Sequence, residues 1–194
     1  MIVGLDTIAL IYAGLGCIGR GIRMNAMTAE GEMSLAVLKT AMAIEEFGIQ
    51  FYSDLGECVA DDRGKALMRS LGNDEKEHAR IIKKEISRLS AGGLNAEPLN
   101  EYLEILPSKV FVKPEGSCLT LEDEVAALEK GIEVEINSIK MYQDALSRAI
   151  EPKTKATIEE LARWEHRHRE ILEENVRTLK LGGAWYGYGP ILEG

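Results

Sequence analysis

The sequence predicts an all-α protein, an antiparallel four-helix bundle with a long crossover between helices 2 and 3, and three observations carry that prediction. Glu-x-x-His occurs twice, as Glu75-x-x-His78 and Glu165-x-x-His168, ninety residues apart. A Glu stands thirty residues before each motif, Glu45 and Glu135, with a Tyr seven residues further on, Tyr52 and Tyr142, at the same offset of ninety. Apolar residues recur at three- and four-residue intervals through both halves, the period of one helix face. A constant offset of this kind means that a two-helix unit has been used twice.

Composition sets the frame. A chain of 194 residues and 21.4 kDa suits one domain with a real core. With Asp+Glu 32 against Lys+Arg 23 and a net charge of −9, its surface should repel phosphate backbones, so nucleic acid is not an expected partner. Cys17, Cys58 and Cys118 are odd in number and form no Cys-x-x-Cys. Neither a disulfide framework nor a thiolate knuckle is indicated, and a reducing cytoplasm is the expected location.

Residues 1–30 are expected to form an appended tail, apolar and then basic, or to be sequence upstream of a start at Met24, Met27 or Met33. The apolar run from Thr7 to Ile18 is shorter than the roughly 20 residues a membrane span needs. Asp6 precedes it and Arg20 and Arg23 follow, the reverse of a secretory signal. Neither a membrane nor export is expected. Gly14-Leu15-Gly16-Cys17-Ile18-Gly19 has the form of a dinucleotide fingerprint, but no alternation of strands and helices follows, so no nucleotide site is assigned.

The bundle is expected over 31–181, as two repeats of about 32–90 and 122–180. From Glu32, Leu35, Leu38, Met42, Glu45, Ile49, Tyr52, Leu55 and Val59 form one inward stripe. After the break Ala60-Asp61-Asp62-Arg63-Gly64, the second helix shows Leu67, Leu71, Glu75, His78, Ile82, Ile86 and Leu89, which Gly92-Gly93 ends. Residues 95–120, with Pro98, Pro107, Pro114 and Gly116, read as the crossover, with one helical turn near Glu101 to Leu106. Thr120, followed by Glu122 and Asp123, is the N-cap of a third helix carrying Val125, Leu128, Ile132, Glu135, Ile139, Tyr142, Leu146 and Ala149. Pro152 opens the fourth, which bears Leu161, Glu165, His168, Leu172, Val176 and Leu179 and stops at Gly182-Gly183. Residues 182–194 are an aromatic C-terminal tail, expected to pack on the bundle or on a neighbouring subunit.

Each helix thus carries polar groups on its buried stripe: Glu45, Glu75 with His78, Glu135, and Glu165 with His168. An uncompensated buried carboxylate costs several kcal/mol, so four together call for cations. Two divalent metals neutralise four carboxylates, and the histidines complete the shells. Glu and His three residues apart share a helix face, so each pair can reach the same two ions. A Glu from two helices and a Glu-x-x-His from the other two is the ligand set of dinuclear carboxylate bundles. Tyr52 and Tyr142, one helical level away, either hydrogen-bond ligand carboxylates or are ordinary core tyrosines. His166, Glu46, Glu77, Glu129 and Glu133 lie off the stripe and are expected on solvated faces. Met42 and Met141 are expected in the core.

With these residues in place, roughly Glu32 to Lys180 resembles the erythrin-type branch of the ferritin-like superfamily, close to rubrerythrin. The resemblance implies two iron ions held by Glu45, Glu75, His78, Glu135, Glu165 and His168, with Glu75 and Glu165 bridging; the donor set also accommodates manganese or zinc. It implies reduction of hydrogen peroxide or O₂ with oxidation of ferrous iron, in a homodimer or larger homo-oligomer. There are two departures. No four-cysteine rubredoxin module is present, so the expected electron donor is external, a rubredoxin-like protein or free ferrous iron. Where rubrerythrins carry a further carboxylate three residues after the third-helix ligand, this chain has Ser138, which leaves the set shared with ferritins. The alternative expectations are iron oxidation and storage, or an interaction module with a structural metal site.

Overall fold

A computed structural model describes residues 6–104, 119–148 and 150–186, with side chains from residue 27 onward. Five helices lie among the described residues: α1 Asp6–Cys58, α2 Asp62–Ala91, the single turn α3 Asn100–Leu103, α4 Leu121–Leu146 and α5 Pro152–Lys180. No strand occurs among them. The fold is the expected all-α, ferritin-like four-helix bundle, built from α1, α2, α4 and α5.

The helix ends form as the local chemistry demands. Asp61 caps α2 by accepting from the Arg63 N–H at 2.8 Å. Thr120 caps α4 in a reciprocal capping box with Asp123. Pro152 starts α5, where its missing N–H costs nothing. Gly93 and Gly182 follow the ends of α2 and α5 at φ 81° and 74°, a backbone region open to glycine.

The start of α1 differs from expectation. Periodicity placed it near Glu32, but the helix already runs from Asp6, so the supposed tail is helical over that stretch. The physical reason is the lack of any stop, since no proline occurs before Pro98 and glycine alone only weakens a helix. Gly14 to Gly19 lie inside this helix rather than at a strand–helix turn. Among the described residues no helix is long and apolar enough to cross a membrane. Residues 1–5, Ala149, residues 187–194 and crossover residues 105–118, including Pro107 and Pro114, lie outside the described residues.

Two antiparallel hairpins, α1–α2 and α4–α5, pack face to face. Gly48 lies against Glu75 and Gly56 against Met68, which sets α1 antiparallel to α2. Tyr52 meets Glu135 while Tyr142 meets Glu45, which sets α1 antiparallel to α4. It follows that α2 and α4 run in the same direction. The buried apolar residues form two clusters. One, around Leu38, Ile82, Met141 and Leu161, lies toward the start of the bundle segment of α1. The other, around Leu55, Leu67, Leu128 and Leu172, lies toward its end. The polar level falls between them.

Trp185 closes that far end. It is buried beside Val59 and Gly64, and its indole N–H donates to Glu124 at 3.1 Å. Packing of the aromatic tail on the bundle is therefore observed as far as Trp185, while Tyr186 is exposed.

Candidate metal centre

The stripe predicted for each helix is the face that turns inward, so all six candidate ligands reach one level of the bundle. Glu45 comes from α1, Glu75 and His78 from α2, Glu135 from α4, Glu165 and His168 from α5, and each is at most 3% exposed. They form two donor groups, Glu45–Glu75–His78–Glu165 and Glu75–Glu135–Glu165–His168, with the donor atoms of each within 4.8 Å of one another. Glu75 and Glu165 belong to both. His78 Nδ1 lies 3.1 Å from Glu45 Oε2 and Glu75 Oε2 and 3.4 Å from Glu165 Oε1. His168 Nδ1 lies 3.1 Å from Glu75 Oε1 and 3.4 Å from Glu165 Oε2.

These residues fit a pair of metal ions. His168 Nδ1 and Glu165 Oε1 are buried without a hydrogen bond. Lone pairs that converge on a shared space without bonding across it are what cations satisfy. Each group offers three carboxylates and one imidazole, a hard donor set suited to iron, manganese or zinc.

Without cations the cage is neutralised by protons. Burial first, then the charges of Glu165 and Glu75, push the Glu45 and Glu135 carboxyls well above their ordinary range. For Glu75, burial and the Glu165 charge act in the same upward direction, but the His168 and His78 imidazoles, each 3.1 Å away, outweigh them and the net shift is downward. Glu165 is likewise lowered, its histidine partners overcoming burial. Burial disfavours a charged His78, yet the carboxylates of Glu165, Glu45 and Glu75 close around its Nδ1 push it up to about 12. His168 also rises against burial, through Asp74, Glu165 and Glu75.

The tyrosines join the cage crosswise. Tyr52 on α1 donates to Glu135 Oε1 on α4, and Tyr142 on α4 donates to Glu45 Oε1 on α1. Burial, then the Glu135 and Glu45 charges respectively, hold both phenols protonated and so keep them donors. Each fixes the carboxylate of the opposite hairpin.

The pseudo-symmetry breaks behind the histidines. Asp74 Oδ2 lies 3.7 Å from His168 Nε2, whereas at the corresponding place Trp164 stacks on His78 with ring centroids 4.5 Å apart and planes 2° from parallel. Sequence reading assigned neither residue. The available signal was position, since both immediately precede the motif Glu at the ninety-residue offset. A cavity of about 180 Å³ opens on this side, lined by Asp74, Glu77, His78, Trp164, Arg167 and His168. On the α1–α4 side a chamber of about 10 Å³ sits beside Glu45, Glu75, Glu135 and Glu165, bounded by Gly48 and Ser138. That is room for about one water-sized molecule. A Cβ at Gly48 would come within 3.2 Å of the Glu75 carboxyl carbon. The Ser138 hydroxyl donates to the Val134 carbonyl one turn back.

Of the off-stripe residues, Glu46, Glu77, Glu129 and Glu133 are exposed, the last three paired with Arg80, Lys180 and Lys130. Met141 is fully buried and Met42 partly so. His166 is half-buried rather than exposed, because one residue from the seam is about 100° round the helix, on its flank. It belongs to neither donor group.

Three comparisons with known proteins bear on this site. A family model described as rubrerythrin matches residues 36–176, a span holding all six donors. A search of curated proteins finds no significant match. A solved structure described as a hypothetical protein from Pyrococcus furiosus superposes with a TM-score of 0.59 at 18% identity, covering 78% of this chain and 93% of its own; at that identity the likeness is one of fold.

Proposed function

The chain belongs to the rubrerythrin family, and from that premise we propose that it is a non-haem di-iron oxidoreductase that reduces hydrogen peroxide or O₂ with oxidation of ferrous iron. The observation that carries the proposal is the convergence of six buried side chains into two donor groups sharing Glu75 and Glu165. Two iron ions bound there would supply the two electrons that cleave an O–O bond.

The protein's part is to bind, orient and exclude. Glu75 and Glu165, which belong to both groups, would serve both ions, while Glu45 with His78 and Glu135 with His168 would complete one group each. Tyr142 and Tyr52 pin the two terminal carboxylates. The small chamber lies beside the four carboxylates, and the surrounding Ile44, Phe51 and Val134 keep bulk water out. The raised phenols keep their protons at the carboxylates beside that chamber.

One observation favours the neighbouring reading, iron oxidation feeding a store. Ser138 spends its hydroxyl on the Val134 carbonyl and supplies no further carboxylate, so the donor set is the one shared with ferritins. Loading with Fe²⁺ under anaerobic conditions, then adding peroxide or O₂ in a stopped-flow spectrometer, tests the proposal. The absorption of an oxo-bridged diferric centre is expected, with faster oxidation by peroxide; no diferric absorption with either oxidant refutes it. Light scattering separates the second reading, since only a large shell can enclose a mineral.

A further inference from the structure

The two hairpins differ where their helices meet. Ninety residues on from Gly56 and Gly72 stand Leu146 and Ala162, whose side chains pack into the first apolar cluster. In α1–α2 the glycines leave a surface groove of about 360 Å³. A Cβ at Gly72 would lie 3.4 Å from the Tyr52 Cβ, so the groove reaches down to that tyrosine. Tyr52 lines both this groove and the inner chamber beside the carboxylates, and its hydroxyl donates to Glu135. The Tyr52 side chain therefore reaches from the floor of the groove, at its Cβ, to the ligand cage, at its hydroxyl. Tyr142, its counterpart, lines neither space.

The rim of the groove has the sign opposite to the rest of the protein. Lys65, Arg69 and Lys76 border it against one lining acid, Glu57, with Asp62 3.7 Å from Lys65. α2 carries eight basic residues against five acidic ones, in a chain with Lys+Arg 23 and Asp+Glu 32. Such a face repels Fe²⁺ and attracts anionic surfaces. From Lys65 to Lys76 the helix rises about 16 Å, more than one phosphate spans and comparable to an acidic patch on a small protein. Electron-transfer encounters need only a small contact area, with charge complementarity setting the approach.

We propose that this groove is the docking site of an acidic one-electron carrier protein, with Tyr52 as the contact through which electrons pass to the ligand cage. Two carriers each lose one electron, and with two protons one peroxide becomes two waters. The electrons' destination rests on the di-iron reading; the docking itself does not.

The test uses rubredoxin as a small acidic carrier. Zinc-loaded protein, which is redox-silent, is titrated with it while amide shifts are followed by NMR. Shifts confined to residues 49–57 and 65–76 are expected, with affinity falling as salt rises. Arg69→Glu with Lys76→Glu, both exposed, should weaken binding about tenfold or more. Lys155→Glu with Arg163→Glu, exposed on α5, should change it little, and unchanged melting of both double variants excludes misfolding. In iron-loaded protein the groove variant should slow reduction by rubredoxin about tenfold while leaving reduction by the methyl viologen radical cation unslowed. Shifts elsewhere, equal effects of the two double variants, equal slowing with viologen, or shifts produced by pyrophosphate but not by rubredoxin would each overturn the proposal. Binding in the groove by zinc protein whose iron form yields no reducible centre would uphold the docking and refute the di-iron function.

Discussion

Replacing Glu75 should remove both metal ions, and replacing Glu45 only one. Glu75 and Glu165 belong to both donor groups, whereas Glu45 serves only the His78 group and Glu135 only the His168 group. Glu→Gln keeps the volume of the side chain and removes its charge, so the cage should keep its shape. A unit charge about 4 Å away at an effective dielectric near 20 is worth about 4 kcal/mol, or roughly a thousandfold in affinity. The donor spacing of at most 4.8 Å puts every ligand charge within that range. Anaerobic titration with Fe²⁺ or Zn²⁺ against a chelator of known affinity should show two tight ions in the unaltered protein. Glu45→Gln and Glu135→Gln should keep one, and Glu75→Gln and Glu165→Gln none. Thermal melts should follow, since ligand at a hundredfold excess over Kd adds about 2.7 kcal/mol per site, a gain that disappears in Glu75→Gln. Equal stoichiometry in Glu75→Gln and Glu45→Gln would show that the two groups do not share a residue, and the dinuclear argument would fall with it.

Three other outcomes are expected. Tyr52→Phe should weaken the site containing Glu135 about 10- to 100-fold and Tyr142→Phe the site containing Glu45 by a similar factor; in chelator competition, an effect on the other site in either variant would contradict the crosswise pairing. Metal loading near neutral pH should release at least two protons, because His78, pushed up to about 12, and His168, also raised, hold them in the metal-free protein. Glu45 and Glu135, raised too, add to that release as pH falls, so affinity climbs with pH; calorimetry in buffers of different ionisation enthalpy reads the number, and less than one would refute the cage electrostatics. Trp185→Ala removes a buried side chain and its bond to Glu124, costing about 3–5 kcal/mol. At roughly 2–4 °C per kcal/mol the melting temperature should drop by about 6–20 °C, with two ions still bound because the polar level is distant; an unchanged melt would show that the tail does not close the bundle.

The repeat, the helical period and the cap residues were legible because they are local or strictly spaced. Thr120 with Asp123, Pro152 and Gly182 act through groups a few residues away, so reading them requires no knowledge of the fold. Glu-x-x-His on an apolar stripe is equally local, since helix geometry alone forces both side chains inward. The offset of ninety then placed four such stripes at one height. These residues by themselves determined an all-α bundle with a polar level that demands cations.

Contacts between the hairpins were decided only in three dimensions. That Tyr52 donates to Glu135 rather than to Glu45 follows from the packing of α1 on α4, which no spacing within one helix encodes. Asp74 and Trp164 occupy equivalent positions, yet one approaches His168 and the other stacks on His78, because the opposite helix determines what each side chain meets. Gly56 and Gly72 look like minor weak points in their helices until α1 and α2 are brought together, when the missing side chains become a groove above Tyr52. Which face of a helix is buried is a property of the chain; what that face touches depends on the register between helices, and the register is settled by the whole core at once.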